Sequence, residues 1–226
     1  MSSDSFSDER IVDSWRANAE PWTTAVRRNQ IESRALVTNG AIVEAVVSRS
    51  PSSALDIGCG EGWLIRALAA YGIRSIGVDV VPALIDKARQ AGGGEFRVAS
   101  YEDLAAGAIE LKVDAAIANF SLIGKESVEG LLSHVPALLN PGGALIVQTL
   151  HPVAACGERP YEDGWRVGSW AGFGGAFSDP APWYFRTVEG WKKLITDSGL
   201  HLVEMREPLH PKTGLPASLI LVATGS

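Results

Sequence analysis

The feature that most constrains the fold is a regular alternation of short apolar runs and helical patterns between residues 54 and 150. The apolar runs predict strands at residues 54–57, 75–78, 95–99, 113–118 and 144–150. Between them, apolar residues recur at helical spacing over residues 64–71, 82–90 and 126–139. This order favours an α/β domain whose parallel sheet is covered by helices on both faces. Ligands of such sheets bind at the carboxyl ends of the strands.

The alternation does not extend to either end of the chain. Residues 1–9 are polar and acidic, and we expect them to fray. Residues 10–50 are typical of helices, which Pro21 is expected to interrupt. Residues 151–186 form an insertion rich in glycine, proline and aromatic residues. Thr187 then begins a further helix, and residues 201–207 and 217–224 predict two closing strands.

The composition argues against several classes of protein. The chain has 226 residues, a formal net charge of −6 and no cluster of Lys and Arg of the kind that binds nucleic acid. Its two cysteines, Cys59 and Cys156, cannot build a disulfide framework, and its four histidines show no metal-ligand spacing. The first residues do not resemble a signal peptide, and no apolar run reaches the roughly 18 residues of a membrane span. We therefore expect a cytoplasmic protein that binds no metal, nucleic acid or membrane.

A glycine loop directly follows the first predicted strand and opens the next helix. It reads Gly58-Cys59-Gly60-Glu61-Gly62, and its glycines allow a ligand to approach the backbone closely. Asp56 stands just before the loop. Asp79 ends the second strand 23 residues later, where an acid can accept hydrogen bonds from ribose hydroxyls. A loop of this kind is also compatible with a tight turn that binds nothing.

A third motif, the Asn-Pro-Gly-Gly turn at residues 140–143, directly precedes the fifth strand. Together with residues 56–62 and Asp79, it resembles the motifs of class I S-adenosylmethionine-dependent methyltransferases, and the resemblance runs from about residue 50 to the end. It implies a Rossmann-like, doubly wound sheet of seven strands in which the last strand is antiparallel. It also implies S-adenosylmethionine (SAM) as the methyl donor and S-adenosylhomocysteine (SAH) as the product.

The resemblance further implies which residues hold the donor. The backbone of the glycine loop would contact the methionine moiety, Asp56 would hold the loop or the amino group, and Asp79 would bind the ribose. After the third strand the family often has an Asp followed by a small residue, whereas this chain has Ser100-Tyr101-Glu102. There Tyr101 would pack on the adenine, and Glu102 or Ser100 would meet its amino group. The expected donor-binding residues are Arg34, Asp56, Gly58, Cys59, Gly60, Asp79, Val80, Tyr101, Glu102 and Asn119.

Two further segments are expected to supply the acceptor site. Residues 10–34 resemble the N-terminal helical lid of small-molecule methyltransferases, where Arg34 could pair with the methionine carboxylate of the donor. The insertion holds seven aromatic residues within 21 positions, which either wall a pocket for a flat, apolar or cationic acceptor or simply cover the sheet edge. The expected acceptor-binding residues are Trp22, Trp170, Phe173, Trp183 and Tyr184.

His151, at the end of the fifth strand, is the candidate general base, although a structural, hydrogen-bonded histidine would give the same pattern. We expect residues 1–50 to form a helical lid and residues 51–226 a SAM-binding domain with an aromatic-rich insertion at about 151–186. The predicted function is methyl transfer from SAM to an oxygen or nitrogen atom of a small molecule, by a monomer or homodimer. The alternatives are a non-catalytic protein that binds SAM or SAH, and an NAD-dependent dehydrogenase. Asp56 and the Pro-Gly-Gly turn argue against the dehydrogenase.

Overall fold

A mixed seven-stranded sheet forms the centre of the computed structural model, which describes residues 6–109 and 111–225. The strand order is β3-β2-β1-β4-β5-β9-β8, and β9 runs antiparallel to both of its neighbours, β5 and β8. The strands of this sheet are β1 (Ser53–Ile57), β2 (Arg74–Asp79), β3 (Glu95–Val98), β4 (Val113–Asn119), β5 (Leu139–Thr149), β8 (His201–Arg206) and β9 (Leu219–Thr224). The predicted Rossmann-like sheet with an antiparallel last strand is therefore confirmed.

The helices cover both faces of this sheet. They are α1 (Asp8–Ala17), α2 (Ala19–Arg27), α3 (Asn39–Val47), α4 (Trp63–Ala69), α5 (Pro82–Ala91), α6 (Tyr101–Ala105), α7 (Glu126–Leu138), α8 (Pro152–Cys156) and α9 (Val188–Asp197). A π-helical turn, Arg34–Thr38, precedes α3. None of the helices in the described ranges is both long and apolar enough to cross a membrane.

Each face of the sheet buries its own core because successive side chains of a strand point to opposite sides. On β5, Leu145 and Val147 pack into the core beneath α7 and α9. Ala144 and Ile146 pack into the core beneath α3 and α4. A strand buried on both faces needs a continuous apolar run, and this is why β4 and β5 are recognisable in the sequence.

The N-terminal region differs from the prediction in two ways. The first helix begins at Asp8, where Ser7 accepts a hydrogen bond from the backbone of Arg10, so the expected fraying does not reach residues 8 and 9. Residues 1–5 lie outside the described residues. The break between the first two helices falls at the buried Asn18 rather than at Pro21. Pro21 lies in the first turn of α2, where its missing N–H leaves no helical hydrogen bond unmade.

The position of the predicted Asn-Pro-Gly-Gly turn, at residues 140–143 ahead of the fifth strand, also differs from the structure. Leu139 already pairs with Val113, and the register then shifts before Ala144 pairs with Ala115. The Asn-Pro-Gly-Gly segment is therefore a bulge within β5 rather than a turn ahead of it. Asn140 stabilises this bulge by donating to a carboxylate oxygen of Asp114, at a distance of 2.7 Å.

The structure contains four elements that the sequence patterns did not predict: helices α6 and α8 and the two strands of a hairpin. Helix α6 starts with a capping box in which Ser100 and Asp103 bond each other's backbone N–H. Within the insertion, α8 is followed by a two-stranded hairpin of β6 (Gly164–Arg166) and β7 (Trp183–Phe185). This hairpin gives the insertion an ordered base, from which residues 167–182 extend as a long loop.

Candidate active site

The glycine loop crosses the carboxyl ends of β1 and β2. Gly58, Gly60 and Gly62 all have positive φ, and the backbone N–H groups of Gly58 and Cys59 donate to the carbonyl of Val78. A Cβ on Gly58 would lie 2.4 Å from the Cβ of Ser121. Both the backbone angle and the lack of space therefore require glycine at this position.

Asp79 ends β2 directly beside this loop. One carboxylate oxygen accepts a hydrogen bond from the N–H of Gly60 and the other from that of Val81, each at 2.9 Å. Burial raises the pKa of Asp79, while these two hydrogen bonds oppose the rise. Each oxygen has a second lone pair, so the carboxylate can hold the loop and still accept from ligand hydroxyls.

Asp56 lies behind the loop with an exposed fraction of only 2%. Burial, together with the charge of Asp79, raises the pKa of Asp56 to about 7, and the charge of Arg34 opposes this rise. Two carboxylates are thus held close together at a site that favours a cation. The ammonium group of a methionine moiety would relieve this repulsion.

A first cavity, of about 400 Å³, opens above the loop. Seven of the ten expected donor-binding residues line it: Gly58, Gly60, Asp79, Val80, Tyr101, Glu102 and Asn119. Tyr101 is held in place because its hydroxyl donates to the carbonyl of Ser121 at 2.9 Å. The side-chain oxygen of Asn119 is buried without a hydrogen-bond partner among the described residues. A ligand with a polar hydrogen would satisfy that oxygen.

The other three expected donor-binding residues lie elsewhere. Asp56 is behind the loop, as described above, and Arg34 lines the second cavity. The side chain of Cys59 packs into a small core with Ile65 and Phe96, and burial raises the pKa of its thiol. Cys59 therefore has only its backbone near the first cavity.

The second cavity, of about 360 Å³, has mostly aromatic walls. All five expected acceptor-binding residues line it: Trp22, Trp170, Phe173, Trp183 and Tyr184. Their rings also pack on one another, with centroids 5.4 Å apart for Trp170 and Phe173 and 6.4 Å apart for Trp22 and Phe173. The aromatic residues of the insertion thus wall a cavity rather than only covering the sheet edge.

The two cavities meet at a common wall. Trp15, Trp22, Phe120 and Ile123 line both of them. Phe120 has a φ of +55°, a strained backbone conformation for an aromatic residue, and its N–H donates to the carbonyl of Gln148 at 2.7 Å. Such strain is typical of residues whose position serves a site.

Arg34 stands at the edge of this second cavity. Its guanidinium lies 5.3 Å from the ring centre of Trp22 and 5.0 Å from that of Trp63. Its Nε donates to Asn39, while its Nη2 is buried without a partner within the described residues. Burial lowers the pKa of Arg34 to about 10, and the charges of Glu61 and Asp56 oppose the change. An unpaired, buried guanidinium is well suited to bind a carboxylate.

His151 lines neither cavity, although its neighbours Leu150 and Pro152 line the second. Its imidazole is buried, and its Nε2 lies 2.9 Å from a carboxylate oxygen of Glu207. This placement matches the structural alternative for His151, and its role as general base stays an untested prediction. No group of three or more potential metal ligands occurs among the described residues.

Sequence reasoning missed two charged residues. Glu61, in the glycine loop, is fully buried and bonds Arg27 of α2 at 2.7 Å and Arg66 of α4 at 2.6 Å. Arg186, also buried, lines the second cavity and lies over the rings of Tyr184 and Trp191. Its only signal in the sequence is its position directly after the aromatic run of the insertion.

The N-terminal helices and the insertion are fastened together over both cavities. The hydroxyl of Ser14 donates to the carbonyl of Asp179, and Arg10 forms an ion pair with the Asp179 side chain. Asn18 exchanges two hydrogen bonds with the backbone of Ser178, at 2.7 and 3.0 Å. We call these contacts the latch. Because α1 and the insertion loop supply walls of the cavities, the latch holds these walls together.

The seven-stranded sheet with an antiparallel last strand, a glycine loop after its first strand and an acid at the end of its second is the arrangement that the resemblance to class I methyltransferases implies. Residues 32–204 match a family described as a methyltransferase domain. The match covers more than half of the chain, and the chain belongs to this family. The predicted recognition as a methyltransferase is thus confirmed, and solved structures of SAM-dependent methyltransferases share the fold of this chain.

Individual relatives agree with this assignment. The chain is 36% identical over 124 residues to a ubiquinone biosynthesis O-methyltransferase of Xylella fastidiosa (strain M23), covering 48% of this chain and 46% of that protein. It thus spans about half the length of the curated relatives it matches. The solved structure of a SAM-dependent methyltransferase from Mesorhizobium loti has a TM-score of 0.60 and 22% identity, covering 80% of this chain and 97% of that one. The DhpI–SAH complex has a TM-score of 0.65 and 16% identity, covering 100% and 99% of the two chains.

Proposed function

We propose that this protein transfers a methyl group from SAM to an oxygen or nitrogen atom of a small molecule. The observation that carries the proposal is the common wall between the two cavities. One cavity has the loop and acid of a donor site, the other has aromatic walls, and Trp15, Trp22, Phe120 and Ile123 lie in both linings. A methyl group bound at that wall would face an acceptor in the second cavity.

Several charged groups of the chain lack a binding partner that the donor would supply. The paired Asp56 and Asp79 favour an ammonium group and ribose hydroxyls, and the unpartnered Nη2 of Arg34 favours a carboxylate. Tyr101 and Glu102 lie where the adenine would be placed. The missing Cβ of Gly58 leaves the backbone open to close contact. These matches between the chain and the donor support SAM as the ligand. They also indicate which residues would hold SAM, which the family assignment alone does not do.

Bound SAM supplies an already activated methyl group on a sulfonium, so the protein needs mainly to align the nucleophile and exclude water. Orientation of this kind can supply about 7–11 kcal/mol of the barrier in favourable cases. The latch between Asn18 and Ser178 helps to keep the cavities closed. The name of the Xylella relative, an O-methyltransferase, favours oxygen over nitrogen as the acceptor atom.

Isothermal titration with SAH tests the donor site. We expect Asp79→Asn to weaken SAH binding by roughly 10- to 100-fold, because a hydrogen bond to a charged group contributes about 1.5–3 kcal/mol. The matched control is Asp86→Asn, which removes an exposed carboxylate of α5 outside both linings and should leave binding unchanged.

The same titration separates the proposal from its rivals. Failure of both SAM and SAH to bind the wild-type protein at millimolar concentration would end the proposal. Binding of NADH in their place would favour a dehydrogenase. Donor binding without transfer to any member of a broad set of acceptors would indicate a non-catalytic protein. The division into a lid at residues 1–50 and a domain at residues 51–226, the cytoplasmic location and the monomeric or dimeric state stay predictions.

A further inference from the structure

The second cavity has a marked imbalance of charge. Arg34 and Arg186 line it, whereas no Asp, Glu or His does so among the residues that the structure describes. Arg186 is 4% exposed, and its Nη1 donates to the carbonyl of Gly124 at 2.8 Å. Its guanidinium carbon lies 4.8 Å from the ring centre of Tyr184 and 5.2 Å from that of Trp191. The charge of Arg186 is therefore held in an aromatic, poorly solvated setting.

The acids that surround Arg186 compensate this charge only in part. Glu129 of α7 is 3.9 Å away and half exposed. Asp163 bonds the N–H and the hydroxyl of Thr187, and Asp8 caps α7 by accepting from backbone N–H groups. Lys125, 5.8 Å from the ring centre of Tyr184, is paired with Glu126 at 3.1 Å. None of these acids lines the second cavity, whereas Arg186 does, so the charge that an acceptor meets at this wall is that of the guanidinium.

Resting on the methyl transfer proposed above, we infer that the acceptor is a flat aromatic oxygen acid, either a phenol or an aromatic carboxylic acid. It enters the second cavity as its anion, and Arg186 positions it. A cationic amine, which the aromatic residues alone would suit, meets repulsion here because guanidinium groups already lie on the rings of Trp22, Tyr184 and Trp191. Both guanidinium groups line this cavity, but Arg34 is proposed above as the partner of the donor carboxylate, so we assign Arg186 to the acceptor.

An aliphatic alcohol fits the cavity less well. Its hydroxyl has to lose a proton during transfer, and no carboxylate or imidazole lines the cavity within the described ranges to accept one. A carboxylic acid is already ionised in neutral water, and a phenol, whose ordinary pKa is about 10, releases its proton to water far more readily than an aliphatic alcohol does. Flat aromatic acceptors also match walls built from the rings of Trp15, Trp170 and Trp183.

The chemical step balances without a base. The anionic oxygen attacks the methyl carbon, so a C–O bond forms as the C–S bond breaks and its electron pair passes to sulfur. The sulfonium becomes a neutral thioether, and the acceptor becomes a neutral ether or ester. The proton of a phenol goes to solvent before the cavity closes. Because two opposite charges disappear in this step, a water-poor cavity does not oppose it.

The wild-type protein allows a first test, since five of its seven tryptophans line the second cavity and report binding by fluorescence quenching. We expect benzoate to bind about tenfold or more tightly than benzamide, and benzylamine to bind most weakly, with and without SAH. With SAM and ring-substituted phenols of differing acidity, the midpoint of the rate against pH should follow the pKa of each phenol. Tighter binding of benzylamine, or a midpoint that stays fixed across the series, would overturn the inference.

Variants of Arg186 give a second test. Arg186→Met should weaken benzoate binding about tenfold or more while leaving benzamide binding unchanged, and Arg186→Lys should restore part of the loss. The matched control is Arg166→Met, because Arg166 also stacks on an insertion ring, 4.8 Å from the centre of Phe185, but lines neither cavity. Equal effects of the Arg186 and Arg166 variants would overturn the positioning role. If Arg186→Met does not fold, the wild-type comparison decides the question.

Titration with SAH keeps this inference separate from the proposed function. All the variants should bind SAH as the wild type does, since Arg186 does not line the donor cavity. Failure of SAH to bind the wild type would refute the proposed function itself. Normal SAH binding without the preference for benzoate refutes only the inference about the acceptor.

Discussion

Replacing Asp56 with Asn should make the ligand-free protein more stable at alkaline pH. Burial and the charge of Asp79 raise the pKa of Asp56 from 3.8 to about 7. At pH values between 3.8 and about 7, the folded protein keeps a proton on Asp56 that the unfolded chain releases. The contribution of Asp56 to stability therefore falls as the pH rises through this window, and above pH 7 the ionised carboxylate destabilises the fold.

The shift from 3.8 to about 7 corresponds to a destabilisation of about 4 kcal/mol at pH 8. Asp56→Asn preserves the shape of the side chain and removes its charge, so it should recover up to that amount at pH 8 and almost none near pH 4. Urea unfolding followed by tryptophan fluorescence, at several pH values between these limits, measures the difference between variant and wild type. The same variant should bind SAH more weakly, because the amino group of the donor loses its anionic partner.

Asp114→Asn is the control, because Asp114 has the opposite environment. Its carboxylate accepts hydrogen bonds from the hydroxyl and N–H of Ser52 and from Asn140, and these lower the pKa of Asp114. Its replacement should destabilise the protein above the ordinary pKa of an Asp. The reasoning fails if Asp56→Asn changes stability equally at all pH values, or if it lowers stability at pH 8.

Two further perturbations test the loop and the latch. Gly58→Ala should destabilise the protein clearly more than Gly72→Ala in urea unfolding. Both glycines have φ near +75°, where an alanine costs about 1–2 kcal/mol, but of these two positions it is at Gly58 that the new Cβ would also meet other atoms within 4 Å. Equal losses of stability in the two variants would contradict the steric argument. Asn18→Ala removes both hydrogen bonds to Ser178, so limited proteolysis should cut residues 167–182 several-fold faster than in Thr196→Ala, which loses a hydrogen bond confined to α9. Unchanged cleavage of Asn18→Ala would show that the latch does not hold the loop.

The elements of the fold that could be predicted are those with a local sequence pattern. Strands β1 and β4 are buried on both faces, so their apolar runs stand out, and the glycine loop marks the passage from β1 to α4. The bulge in β5 was missed because it depends on pairing between Leu139 and Val113, which lie far apart in the sequence. Helix α6 was missed because its five residues are too few for a periodic pattern, and its start depends on the side chains of Ser100 and Asp103.

The same distinction applies to the candidate site. Residues within contiguous motifs, such as Gly58 and Asp79, were predictable because the loop and the strand end fix their backbone positions. Whether a single loop side chain points into the core or towards a ligand depends on the elements packed around it. The packing of Cys59 into a core therefore could not be foreseen from the sequence. His151 faces Glu207, and Arg186 faces Gly124, through contacts that span 56 and 62 residues. No local pattern contains such partners.

The buried Glu61 links the donor loop to the outer helix α2. Its carboxylate is shared by Arg27 on α2 and Arg66 on α4, and it belongs to the same five-residue loop whose backbone faces the donor cavity. Where the proposed donor binds this loop, a change that favours this position of α2 should raise donor affinity, and by thermodynamic reciprocity the donor should favour the same position of α2. The affinity of the enzyme for its cofactor can accordingly evolve through substitutions on an external helix, without alteration of any residue that touches the cofactor.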